Sequence, residues 1–411
     1  MKIAKKQIVF LEPWPEIMIY KMAKLLKESG YETISIRILE NKGVPDSFFR
    51  EAFDKIISFE LSAYKINLKN LSLIVKLLLE KISSLLKATK EILKLSPCLI
   101  IGRATPNWPC ALTKILFKKI PFIYFPYDIR AIGWESKEIA KKHGTKEFEL
   151  KAERFCFENC DGLIHKGHPD ELKYIKEELL GENLKIVPKR LNFNPYCSRE
   201  FIVPLNKNKL SKKDKEIHMV YIGSMGTVGF GEENYILKYI SKIIESGMHV
   251  HVYTKSNTLP SKEIMKITSN DFSNFLNSKY FHLHEPLGPK EIVKEISQYD
   301  YGLLLVSVPL PKEHPERLGG YGMGNKNASY LEAGIPCIYD DGLIFIGQLM
   351  KKYRVGFPLG DINKIYDLKN KLKKINYEAI EKNIILARQD FLMEKHLDRF
   401  IEFILKMAEK N

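Results

Sequence analysis

Residues Glu316–Pro336 read ERLGGYGMGNKNASYLEAGIP. Gly319, Gly320, Gly322 and Gly324 make a loop open to conformations that other residues avoid. Asn325 has the side chain of a helix N-cap, and Lys326–Ala333 has the composition of a short helix. Gly334 ends it, and Ile335–Tyr339 is an apolar run of strand length. A glycine-rich loop that opens a helix leaves N–H groups unpaired at the helix start, and these favour phosphate. Lys326 adds a full positive charge at that point. The segment is not a P-loop, which needs Lys directly after the last glycine. It is not a dinucleotide fingerprint either, because Asn327 stands at the third glycine position.

Outward from this segment, strands and helices alternate. Upstream, strand patterns fall at Ile217–Ile222, His249–Tyr253, Tyr280–His284 and Gly302–Val306. Helical spacing separates them at Tyr235–Ile244 and Lys290–Ile296, and resumes at Ile344–Lys351 and Tyr377–Lys410. Gly223–Gly231 (GSMGTVGFG) is a second glycine-rich strand-to-helix turn, opening the same half. The first half repeats the pattern: Gln7–Leu11, Tyr31–Ile38, Cys98–Ile101, Phe122–Phe125, Gly162–His165 and Lys185–Val187 read as strands. The expected fold class is therefore α/β, with two doubly wound parallel-sheet, Rossmann-like domains and a cleft between them. The expected boundaries are 1–195 for the first domain, with a helical insert over about 45–95. A linker follows at 196–215, rich in Lys, Asn and Pro. The second domain runs over 216–385, and a C-terminal helix, 386–411, packs back on the first domain.

Composition narrows the function. The 411 residues carry a formal charge of +15, which suits an anionic partner. In the helical insert, Lys69, Lys76, Glu80, Ser83, Lys87, Lys90 and Lys94 share one face, and Leu71, Ile74, Leu78, Ile82, Leu85 and Ile92 form the opposite stripe. That pattern is either a solvated face of a domain helix or a basic surface turned to anionic lipid. No apolar run reaches the roughly 18 residues of a spanning helix, and no secretory leader is evident. Six cysteines without a Cys-x-x-Cys pair make neither a disulfide framework nor a zinc set. The expected setting is cytoplasmic, with contact at the inner face of the membrane. No nucleic-acid motif is present, and no nucleic-acid partner is expected.

Asn325-Lys326-Asn327-Ala328-Ser329-Tyr330-Leu331-Glu332-Ala333-Gly334-Ile335-Pro336 resembles the Asn-Lys, Tyr and Gly-x-Pro block of GT-B nucleotide-sugar glycosyltransferases, specifically the large retaining family known as glycosyl transferases group one. Tyr221-Ile222-Gly223-Ser224 resembles the opening of that family's C-terminal domain. Tyr299-Asp300 before Gly302–Val306, and Asn159-Cys160-Asp161 before Gly162–Ile164, resemble its aspartate-then-strand runs. The chain is a divergent member of this pattern. Tyr321 and Ser329 stand where the family has two glutamates, and Ser224, Met225 and Thr227 stand where it has Arg and Lys.

The resemblance implies transfer of a sugar from a nucleotide-diphosphate donor to a glycan or lipid-linked acceptor. The donor is a co-substrate, and no cofactor is implied. Donor-binding candidates are Gly223, Ser224, Lys255, Gly324, Asn325, Lys326 and Tyr330. Lys326 and Glu316 are the catalytic candidates. Acceptor-side candidates follow the strands of the first half: Arg103, Tyr127 with Asp128 and Arg130, and His165 with Lys166, Gly167 and His168. No metal is expected: Asp340 and Asp341 are merely adjacent, and His282 and His284 alternate on a strand with no third ligand evident. Two other functions fit a GT-B chain lacking the glutamates: a catalytically decayed module that binds a glycan or anionic surface, and a nucleotide-sugar epimerase.

Overall fold

The computed structural model describes residues 6–38, 46–59, 83, 86–142, 144–225, 235–254, 277–306 and 320–409. The chain divides into two compact units. One is Met1–Lys166 with Ile175–Asn194 and His396–Asn411; the other is Gly167–Tyr174 with Pro195–Lys395.

The first unit is built on seven parallel strands in the order β3-β2-β1-β4-β5-β6-β7. They are β1 Gln7–Glu12, β2 Glu32–Arg37, β3 Lys55–Ser58, β4 Leu99–Ala104, β5 Phe122–Pro126, β6 Gly162–His165 and β7 Arg190–Asn192. All of β4 and β5 is buried, as is nearly all of β1 and β2. Strands so continuously buried are covered on both faces, which is the condition that goes with a parallel sheet. The helix Ile17–Glu28 makes the first crossover, and Glu16 caps it by accepting from Met18 N at 2.8 Å and Ile19 N at 3.1 Å. The C-terminal helix Leu397–Ala408 lies against β6. A Cβ at Gly162 would meet Met407 Sδ at 2.8 Å and Phe403 Cζ at 3.0 Å.

Two expectations fail in this unit. The last strand is Arg190–Asn192, not Lys185–Val187. Val187 N bonds to Phe157 O at 2.9 Å, and Pro188 has no N–H to offer a ladder, so pairing starts later, with Lys189 O accepting from Leu163 N. The segment read as a helical insert also holds a strand: β3 follows the short helix Asp46–Phe49, and Ile34 pairs with Lys55 and Ile36 with Ile57. Residues 86–95 are helical, with Lys87, Lys90 and Lys94 exposed and Ile92 buried. Lys69, Lys76, Glu80, Leu71, Ile74, Leu78, Ile82 and Leu85 lie outside the described residues.

The second unit holds six parallel strands in the order β10-β9-β8-β11-β12-β13. They are β8 His218–Ile222, β9 His249–Tyr253, β10 Phe281–His284, β11 Tyr301–Leu304, β12 Cys337–Tyr339 and β13 Gly356–Pro358. One face of this sheet forms an apolar core in which Met219, Val250, Val252 and Leu303 pack with Leu237, Ile240, Ile243, Ile365 and Leu368. Helix Tyr235–Glu245 supplies three of those leucines and isoleucines at helical spacing. The edge strand β13 has no counterpart in the sequence reading. Gly and Pro are depleted in strands and are tolerated at an edge.

Each sheet has one topological switch point, where successive crossovers run to opposite sides: β1 beside β4, and β8 beside β11. Ligands of doubly wound sheets bind at the carboxyl ends of the strands there.

Candidate functional site

In the second unit the β8–β11 ladder stops at the pair Gly302–Val220. The helix Asn325–Ala333 lies over the point where the strands part. Tyr330, fully buried, holds it there: its hydroxyl is 3.2 Å from Val220 O and 3.1 Å from Leu303 O. Its ring lies on Gly302, where an added Cβ would come within 2.4 Å of it. Just beyond, Gly334 ends the helix at φ +75°, and Arg388 donates to Leu331 O at 2.6 Å and to Glu332 O at 2.8 Å. The C-terminal half of this short helix is thus fixed by tertiary contacts, which a nine-residue helix needs to persist.

The helix start faces the end of β8. Gly324, not Asn325, is the N-cap. Asn325 is instead the first helical residue, because the extended backbone of Gly324 already makes the entry. Lys326 reaches across to β8. Its Nζ lies 3.9 Å from the centre of the Tyr221 ring and donates to the Tyr221 hydroxyl at 2.7 Å. That hydroxyl donates in turn to Ser224 O at 2.6 Å, closing the turn after β8. Gly223 has φ +107°, and a Cβ there would stand 3.2 Å from Lys326 Cε. Only glycine gives both the backbone conformation and the room. Burial pushes the Lys326 amine down to about 7. Gly223, Ser224, Gly324, Asn325, Lys326 and Tyr330 therefore belong to one region of the second unit. Lys255 and Glu316 lie outside the described residues.

The positions of the missing glutamates are also visible. Tyr321 sits in an aromatic cluster, its ring 4.7 Å from that of His168 and its carbonyl accepting from His168 N at 2.8 Å. Ser329 Oγ bonds back to Asn325 O at 3.4 Å. Glu332 is buried and accepts from Ser198 N at 2.8 Å, anchoring the segment before β8. Asp340 and Asp341 hold separate turns, through Gly342 N and Gly360 N.

In the first unit the switch point carries Arg103 at the end of β4. It is 4% exposed. Its guanidinium lies 4.9 Å from the centre of the Trp14 ring and 4.4 Å from that of Tyr127. Nε and Nη1 are buried and make no hydrogen bond. Glu12, at the end of β1, is wholly buried, and burial pushes its carboxyl up to about 7 against the pull of Arg37 and Arg103. Lys166 stands over the same Tyr127 ring at 3.6 Å and lies 3.5 Å from Asp128. Asp128 is exposed, and Arg130 is partly so. His165 is buried and held neutral, its ring pushed down to about 4 by burial and by Arg190. Arg103, Tyr127, Asp128 and Lys166 thus come together. His165 is directed instead to Asn192, 3.5 Å away. His168 belongs to the second unit, in the aromatic cluster.

The sequence reading missed Trp14 as a lid on Arg103 and Tyr221 as the partner of Lys326. It also left His282 and His284 without further ligands. In the sheet His218 on β8, and His249 and His251 on β9, lie beside them. Ring centres are 4.3 Å apart for His218 and His249 and 4.2 Å for His251 and His282.

Residues 246–398 match the family described as glucosyltransferase 3-like, C-terminal domain. No curated protein sequence matches the chain. Among solved structures it is similar to sucrose-phosphate synthase from Thermosynechococcus elongatus, with a TM-score of 0.66 and 13% identity over 99% of this chain and 100% of that one. It is similar to Anabaena HepE in complex with UDP and glucose, with a TM-score of 0.64 and 10% identity over 97% and 99%. A glycosyltransferase from Rickettsia africae gives a TM-score of 0.55 and 13% identity over the full length of both chains. The chain thus has the GT-B glycosyltransferase fold in a divergent form, and the greater part of its second unit matches the glucosyltransferase 3-like C-terminal domain.

Proposed function

We propose that the chain transfers a hexosyl group from a nucleoside-diphosphate sugar to an acceptor hydroxyl. The observation that carries this reading is the Lys326 amine at the start of the helix, held against Tyr221 and Gly223 at the β8 switch point. The donor diphosphate occupies the helix start, where the positive end of the helix dipole and Lys326 meet it. As the bond from the anomeric carbon to the phosphate oxygen breaks, negative charge grows on the leaving diphosphate, and the Lys326 ammonium stabilises it. That charge does the work a metal ion would otherwise do, so the donor reaction runs without one. The match to a glucosyltransferase family and the likeness to a protein bound to UDP and glucose support a uridine donor.

The acceptor binds the first unit at Arg103, Tyr127, Asp128 and Lys166. Two cations against one aromatic ring suit a glycan or lipid-linked acceptor that carries negative charge. The exposed Lys87, Lys90 and Lys94 are the face through which the chain meets an anionic membrane surface. Among the described residues no helix is long and apolar enough to cross a membrane.

A thermal-shift panel of UDP, GDP, ADP and CMP, each with and without magnesium, tests the donor site. A ligand at about 100 times its Kd adds roughly 2.7 kcal/mol of stability. The expected result is a rise with a single diphosphate that is independent of magnesium and lost in Lys326→Ala. No rise with any of the four would overturn the reading.

A further inference from the structure

Five of the ten histidines in the chain lie on one face of the second sheet, the face opposite its apolar core. His218 pairs in register with His249, and His251 with His282. The rings form two relays of the same sense. In the first, His218 Nδ1 meets His251 Nε2 at 3.0 Å, and His251 Nδ1 meets His284 Nε2 at 3.0 Å. In the second, His249 Nδ1 meets His282 Nε2 at 2.8 Å. Each relay therefore begins with an Nε2, that of His218 and that of His249. The two leading rings stack at 4.3 Å, and Asp214 Oδ2 lies 2.9 Å from His218 Nε2. Asp214, His218 and His249 offer ligand atoms that all lie within 4.8 Å of one another.

We propose that Asp214, His218 and His249 bind one divalent transition-metal ion, with zinc the best fit, through the Asp214 carboxylate and the two leading Nε2 atoms. Two imidazoles and a carboxylate are a ligand set that zinc accepts. The second shell is already built: a metal-bound histidine donates its other N–H to a fixed partner, and here both partners are further histidines. Tetrahedral coordination places ligand atoms ~3.4 Å apart, so the His218–His249 stack must open for both rings to face the ion. Protons balance without change of charge. In the empty site His218 Nε2–H donates to Asp214, and every ring of the first relay carries its proton on Nε2. With the ion bound, each ring carries its proton on Nδ1 instead and donates along the relay.

The site lies at the amino end of β8, and Gly223 follows its carboxyl end. Five strand residues separate them by ~16 Å. The ion therefore does not reach the donor. It ties the short helix Ser211–Asp214, which leads into β8, to β8 and β9.

The test uses the full chain, purified without a histidine tag and stripped with a chelator. Titration with zinc against a chromophoric competitor should show one equivalent bound, with affinity lowered at least tenfold in both Asp214→Asn and His249→Gln. Asp214 is exposed, so its isosteric variant keeps the fold. Cobalt(II) should give visible d–d absorption in wild type and lose it in both variants. No stoichiometric binding, or binding equal in wild type and both variants, would overturn the proposal. Neither result touches the nucleotide shifts, so this site and the donor site stand or fall separately.

Discussion

Lys326 is an ammonium placed where burial disfavours its charge. Its pKa falls from 10.5 to about 7, so the folded chain holds fewer protons than the unfolded one between those values. By linkage, this group's contribution to stability rises as pH increases from 7 towards 10.5, and is lowest below 7. A bound diphosphate restores the charge. Binding should therefore take up a proton, and affinity should fall roughly tenfold per pH unit above 7. Calorimetry in buffers of different ionisation enthalpy checks this, and Lys326→Arg should flatten the pH dependence. Gly223 has the opposite constraint, one of shape. Gly223→Ala puts a side chain at φ +107° beside Lys326, and should cost about 1–2 kcal/mol of stability and weaken nucleotide binding. Denaturant unfolding and titration read the two effects. The helix that carries Lys326 was legible in the sequence because a glycine-rich loop before a helical pattern is a local signal. Tyr221 was not, because its pairing with Lys326 joins residues 105 positions apart.

Elements were legible where they are buried. β6 and β9 match their expected ranges, because a turn residue precedes each, Asp161 before β6 and Gly247 before β9, and marks where the strand pattern starts. β3 and β13 were missed, since a four- or three-residue edge strand has half its pattern facing solvent. The histidine face was missed for another reason. Its members recur at 218, 249 and 282, about one βαβ unit apart, and only a reading at that period aligns them. The helix Asn325–Ala333 depends on Tyr330. Tyr330→Phe leaves two buried carbonyls without their shared donor, and should cost about 1–3 kcal/mol in denaturant unfolding. Glu153 has a similar role in the first unit, accepting from Arg130 N at 2.8 Å and Ala131 N at 3.0 Å. Glu153→Ala should destabilise by a comparable amount.

Across the whole molecule, the two sheets repeat one arrangement: a cation at the switch point, set against an aromatic ring. Lys326 faces Tyr221 in one unit, and Arg103 faces Tyr127 and Trp14 in the other. The two-sheet architecture was legible from alternation alone, since each strand-helix unit declares itself locally. The cluster at the first switch point was only partly so, because Trp14, Arg103, Tyr127 and Lys166 come from four separate strand ends. The division of labour predicts that Arg103→Met abolishes transfer while leaving the nucleotide thermal shift intact. The most direct test of the account is release of nucleoside diphosphate from a panel of nucleotide sugars, with water as the acceptor. The wild-type chain should release it from one donor class, and Lys326→Ala should be slower by about 10²–10³-fold. Nucleotide binding without release from any donor sugar would contradict the assignment of sugar transfer.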